Sequence, residues 1–276
     1  MCWSRVIILE GKTMDVRLDN KVALITGGSL GLGRAMALRF AEAGASVAIA
    51  ARGKEALEST AVEIKKITGD DKVTAHACDV ADASEVQDLH SNVVSQLGPV
   101  DILVNNAGTS QRGPFLEVSD ELWQNDIDLK LFAAIRLSRL VLPSMQDKRW
   151  GRIINVLNTA AKAPGAEGAP TAISRAAGMA LTKVLAGEAA KHNVLVNALL
   201  VGLIDSNQHQ IKHEKSGSDS SYENFLEQMA VSNNIPMGRV GKPEEFADLA
   251  CFLASERASY LSGVAINVDG GRSPVV

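Results

Sequence analysis

Short apolar, β-branched runs alternate with longer stretches of helical period along this chain. The runs are 21–26 (KVALIT), 46–51 (SVAIAA), 72–77 (KVTAHA), 100–105 (VDILVN), 152–157 (RIINVL), 194–200 (VLVNALL) and 263–268 (GVAINV). Near-continuous apolar character marks strands that are covered on both faces, as in a parallel sheet. Helical patterns fill about 31–44, 53–67, 82–97, 119–147, 170–191 and 242–254. The alternation predicts one α/β domain, doubly wound in three layers around a seven-stranded, mostly parallel sheet.

The domain is expected over 18–276, after an N-terminal tail at 1–17. The clean pattern begins only at Met14. The patch before it, bounded by Arg5 and Glu10, is a poor signal peptide and reads as an upstream start or a loose tail. A substrate lid is expected at about 203–236. Its polar stretch 205–221 (DSNQHQIKHEKSGSDSS) sits in a long break between the sixth strand and the last helix. A break of that length in a compact domain is a functional lid or a disordered loop.

Composition narrows the function classes. The 276 residues are 46% hydrophobic and 22% charged, ordinary for a globular chain. A net charge of −4 gives no support to nucleic-acid binding. No apolar run reaches the roughly 18 residues that a membrane span needs, so no membrane partner is expected. Cys2, Cys78 and Cys251 form no CxxC pair. Neither a disulfide framework nor a metal site is expected, and a cytoplasmic setting is the default.

The first strand runs into Thr26-Gly27-Gly28-Ser29-Leu30-Gly31-Leu32-Gly33 and then a helix. Glycines let backbone approach a ligand closely, and a helix start offers free N–H groups to a pyrophosphate. In this strand–turn–helix setting the loop predicts a dinucleotide. Downstream stand Cys78-Asp79-Val80, Asn105-Asn106-Ala107-Gly108, the strand bearing Asn197, and Asp269-Gly270-Gly271. With these motifs the chain resembles the short-chain dehydrogenase/reductase family over about 18–272. It is most similar to the single-domain type typified by 3-oxoacyl-carrier-protein reductases.

The resemblance implies a Rossmann sheet, a nicotinamide dinucleotide, a small-molecule substrate and a homodimer or homotetramer. It places Gly27, Ser29, Leu30, Gly31, Leu32 and Gly33 at the phosphates. Asp79 and Val80 fall at the adenine, and Asn106, Ala107 and Gly108 along the adenosine ribose. The segment Gly202, Ile204 and Ser206 falls at the nicotinamide. After the second strand comes Ala51-Arg52 rather than an acidic residue. Arg52 suits a 2′-phosphate, so NADP is expected over NAD.

The family moves a hydride using a tyrosine, a lysine four residues later, a serine thirteen residues earlier and an asparagine in the preceding long helix. At those four positions this sequence has Thr171, Arg175, Asn158 and Lys130. Threonine lacks the acidity of a phenol, arginine holds its proton, and asparagine does not titrate. Lys130 is the one titratable newcomer, and Arg175 beside it would lower its pKa. It is either a general acid or base, or a partner of Asp126 on an exposed helix face. Tyr222 and the histidines His209 and His213 fall in the lid. The histidines read as solvated loop residues, and Tyr260 reads as structural.

Cofactor binding is thus better preserved than proton transfer. Three functions fit: an NADP-dependent oxidoreductase of carbonyl or alcohol groups with a changed proton donor, a non-redox enzyme on this scaffold, and a silent cofactor-binding subunit. Lys130 and Arg175 together suit an anionic substrate.

Overall fold

The computed structural model describes residues 15–217 and 220–276. The first fourteen positions of the expected tail lie outside the described residues. The strands are β1 Val22–Thr26, β2 Ser46–Ala51, β3 Val73–Ala77, β4 Ile102–Asn105, β5 Gly151–Asn158, β6 Val194–Val201 and β7 Ala265–Val268. They form one sheet in the order β3-β2-β1-β4-β5-β6-β7. Every pairing is parallel: Leu24 of β1, for example, is flanked by Ala48 of β2 and Leu103 of β4.

Side chains alternate across the sheet with period two, and each face has its own core. Ala23, Ile25, Val47 and Ile49 meet α1 (Gly31–Glu42), α2 (Lys54–Thr68) and α9 (Pro243–Ala254). Val22, Leu24, Ala48 and Ala50 meet α3 (Ala83–Leu97), α5 (Ala133–Lys148) and α6 (Thr171–Ala189). This three-layer Rossmann arrangement is the one expected. The strand order reverses between β1 and β4, which opens a crevice at their carboxyl ends.

Two expectations are corrected. The helix read over 119–147 is interrupted: α4 (Asp120–Ile127) passes through a π-helical turn at Asp128–Phe132 into α5. A π-turn holds one extra residue and rotates the helix face, which a single apolar period cannot reveal. The long break is not an irregular loop. It contains α7 (Asn207–Ser216) and α8 (Tyr222–Ser232). Ala230, Ile235 and Val240 form a small core of their own with Leu203, Leu226 and Met229, and its apolar positions are too sparse to stand out in the sequence.

Candidate active site

The glycine loop begins where β1 ends, and its shape is held from β4. The Thr26 hydroxyl donates to the Val104 carbonyl and accepts from the amides of Asn106 and Ala107, at 2.9–3.2 Å. Asn106 Nδ2 donates back to the carbonyls of Thr26 (2.9 Å) and Gly27 (3.2 Å). Gly33 packs directly on this turn. A Cβ there would collide with the Gly27 carbonyl oxygen and lie 2.7 Å from Asn106 Nδ2. Leu30 caps α1 with no side-chain hydrogen bond, and the first turn of α1 holds no acidic residue. The amides at this helix start are therefore available to an anion.

A cleft of about 910 Å³ opens from this loop. Its floor carries Gly27, Leu30, Gly31, Leu32 and Gly33, and β4 adds Asn106, Ala107 and Gly108. Asn158, Thr171 and Arg175 form a second wall, and Gly202, Ile204 and Ser206 a third. Sequence-predicted positions scattered over the chain thus converge on one crevice.

Five others lie off its surface. Ser29 is buried and its carbonyl accepts from Thr60 Oγ1 at 2.9 Å. Arg52 is exposed at the end of β2. Asp79 Oδ1 caps a turn by accepting the Ala81 amide at 3.0 Å, and Val80 is buried in the core beside α3. The neighbouring helix is capped by Asp82, not Asp79.

Lys130 is the fifth, and the expectation of an exposed helix face is corrected. Its ion pair with Asp126 exists, but their side chains are 1% and 0% exposed, because the π-turn directs them inward. Lys130 Nζ donates to Asp126 Oδ1 and, at 2.8 Å, to Thr171 Oγ1. Asp126 also accepts from Ser174 Oγ at 2.5 Å and lies 3.2 Å from Thr171 Oγ1. Sequence reasoning missed Ser174; it stands three residues after Thr171 on the same helix face.

The Thr171 hydroxyl is held from the other side by a strap of chain. It donates to the Gln111 carbonyl at 2.7 Å and accepts from the Gln111 amide at 2.9 Å. Thr171 lines the cleft, and Lys130 stands behind it. Arg175 donates from Nη1 to the Val156 carbonyl at 2.8 Å, and its Nη2 fills the space a side chain at Gly108 would need.

The electrostatics follow from this crowding. Burial pushes the Lys130 ammonium down to about 8; Asp126 draws it back up, while Arg175 and Arg112 lower it further. Burial also lowers the Arg175 guanidinium to about 10, with Asp126 opposing. The result is a lysine whose ammonium pKa is held well below its ordinary value, set behind a hydroxyl that does not titrate.

The segment at 203–236 supplies the remaining wall. Tyr222 donates its hydroxyl to Asp205 Oδ1, and burial followed by that bond raises its pKa. Tyr222 is thereby tied to the cleft wall. The histidines are not solvated loop residues. His209 on α7 lines the cleft, and burial lowers its pKa. His213 packs against Tyr222 and Phe225 with ring centroids 5.5 and 5.2 Å apart. Tyr260 is fully exposed. Among the described residues no group of His, Cys, Asp and Glu could hold a metal, and no helix is long and apolar enough to cross a membrane.

Comparison with known proteins agrees with this geometry. The short chain dehydrogenase family matches residues 21–216. The 3-oxoacyl-[acyl-carrier-protein] reductase FabG of Thermotoga maritima is 35% identical over 260 residues, covering 93% of this chain and 99% of its own. L-Sorbose reductase from Gluconobacter frateurii, solved with NADPH and L-sorbose, superposes with a TM-score of 0.89 at 36% identity, over 95% of this chain and 100% of that one. A short chain oxidoreductase from Pseudomonas aeruginosa PAO1, solved with NADPH and containing an atypical catalytic center, gives a TM-score of 0.87 at 35% identity, over 94% and 99% of the two chains.

Proposed function

The chain belongs to the short chain dehydrogenase family, and from that premise we propose that it is an NADP(H)-dependent oxidoreductase of carbonyl and alcohol groups whose proton comes from Lys130 through Thr171. One observation carries the reading: Lys130 Nζ, buried and charge-paired with Asp126, bonds the hydroxyl at the family's tyrosine position. The NADPH-bound relatives and the relative with an atypical catalytic center support it.

The residues present fit the dinucleotide. The glycine loop leaves backbone amides uncovered, Gly33 and Gly108 admit no side chain, and Arg52 is free to face a 2′-phosphate. A bound nicotinamide supplies hydride transfer to or from a carbon atom. Everything else falls to this chain. Arg175, cationic and wedged against Gly108, holds the ribose end of the cleft. Asn158 Oδ1 is buried with no donor among the described residues, so it accepts from the hydroxyl of the alcohol form of the substrate.

In the reducing direction the Thr171 hydroxyl turns its proton from the Gln111 carbonyl to the substrate oxygen, gives it up there and takes one from Lys130 Nζ. The amine left behind keeps its hydrogen bond to Asp126 and is recharged through Thr171 after the product leaves the cleft. A hydroxyl both donates and accepts, so it relays a proton without itself ionising. A homodimer or homotetramer belongs to this reading. Ile173, Ala180 and Val184 are exposed on α6 at spacings that share one helix face, a surface suited to a second copy. A cytoplasmic setting is part of the same reading.

NADPH binding by calorimetry, followed by nicotinamide absorbance with aldehydes and ketones, tests the reading. Thr171→Val should lower kcat by about a hundredfold to ten-thousandfold, the usual worth of general acid catalysis, and Thr171→Ser should keep most of it. Tight binding with no turnover on any carbonyl compound would favour the silent cofactor-binding subunit.

A further inference from the structure

We propose that Arg112 is an anion-recognition residue, and that the substrate pair of this site is a small oxo acid and its hydroxy acid. The inference rests on the oxidoreductase reading and adds the substrate class to it.

The charge balance of the reaction end motivates it. Lys130, Arg175 and Arg112 lie close enough together for both arginines to act on the lysine. Asp126 is the carboxylate bound to Lys130, and it is buried behind Thr171. Asp205, on the lid wall, is engaged by Tyr222. Two of the three cations are already committed: Lys130 to Asp126 and Thr171, and Arg175 to the Val156 carbonyl. Arg112 lines the cleft and makes no hydrogen bond or ion pair among the described residues. A free guanidinium on the cleft, with Arg175 also on its wall and no unpaired carboxylate among the described residues that line it, fits a carboxylate, which an arginine fork can bind through two parallel hydrogen bonds.

The position of Arg112 is built in. Gln111 exchanges three hydrogen bonds with Thr171, and Arg112 pairs with Pro170 in an isolated antiparallel bridge. The backbone that presents the guanidinium is therefore pinned to the residue that relays the proton. The hydroxy half of the pair follows from the acceptor beside it. Asn158 Oδ1, on the cleft wall, is buried without a donor among the described residues, and a buried acceptor is costly until a donor reaches it. A substrate hydroxyl at Asn158 and a carboxylate at Arg112 satisfy both requirements.

Two measurements test this separately from the reductase reading. The first titrates malonate, a carboxylate that cannot be reduced, into the protein with and without saturating NADP+. The wild type should bind it, Arg112→Leu should weaken binding at least tenfold, and Arg112→Lys should retain most of it. Thermal melts of both variants serve as the check on folding. The second compares NADPH consumption on acetoacetate and pyruvate with their methyl esters. The wild type should prefer the acids, and Arg112→Leu should lower the acid-to-ester ratio of kcat/KM at least tenfold. Malonate binding that depends on Arg112 without any turnover would uphold the anion site and overturn the reductase reading. Turnover of neutral carbonyls, with malonate unbound or bound equally by Arg112→Leu, would overturn the anion site alone.

Discussion

Lys130 Nζ lies 2.8 Å from Thr171 Oγ1, across 41 residues of chain. Thr171 stands on the cleft wall and Lys130 behind it. Together they connect a titratable group to the cleft through one hydroxyl. The ionisable atom lies one layer back, paired there with Asp126.

The pH dependence follows from that lysine. Reduction needs the ammonium form, so kcat/KM for reduction should be flat below about 8 and fall as pH rises through that value. Oxidation needs the neutral amine and should rise over the same range. Asp126 raises the lysine pKa, so Asp126→Asn should move the midpoint downward. A rate profile indifferent to Asp126 would take Lys130 out of the proton path.

Stability should respond to the same pair. Lys130→Met strands the Asp126 carboxylate in a fully buried site, which costs about 3–5 kcal/mol for a broken buried ion pair. Lys130→Met combined with Asp126→Leu removes both charges and should recover most of that loss in urea unfolding. The double variant should still bind NADPH and should not turn over, which separates folding from catalysis.

Cofactor preference should depend on Arg52. A charge-assisted hydrogen bond to a 2′-phosphate contributes about 1.5–3 kcal/mol. Arg52→Asp should therefore weaken NADPH binding by roughly ten- to a hundredfold and improve NADH binding, read by calorimetry. An unchanged preference would place the determinant elsewhere on the loop.

The glycine loop tolerates no side chain at Gly33. The Cβ of Gly33→Ala meets the Gly27 carbonyl, which cannot withdraw because Asn106 holds it. This variant should lose dinucleotide affinity at least tenfold. Gly31 has open space around its Cβ position but a φ of +52°, so Gly31→Asn, a residue that tolerates left-handed backbone, should bind better than Gly31→Val.

Much of this protein was legible along the chain. The apolar runs locate the strands to within about two residues, because a strand buried on both faces must be apolar throughout. The glycine spacing locates the phosphate end of the cleft, because only glycine admits such close approach between the loop, α1 and the Asn106 side chain. The candidate positions 130, 158, 171 and 175 follow from counting.

What those four residues do together was not legible. A period of 3.6 extends smoothly through 119–147 and gives no sign of the π-turn that buries Lys130. The sequence offered Asp126 as its partner four residues away, but burial separates a solvated surface pair from a tuned proton source. Arg112 carried no motif at all, and its importance comes from a strap pinned to Thr171.

The sequence alone therefore determined the strands of a parallel sheet and the glycine loop that follows the first of them, because local period and glycine geometry act over a few residues. Only the tertiary structure decided the chemistry, because a pKa and a charge balance are set by what surrounds a group in space. At Lys130 those surroundings come from three separate parts of the chain: Asp126 on α4, Arg112 on the strap, and Thr171 with Arg175 on α6.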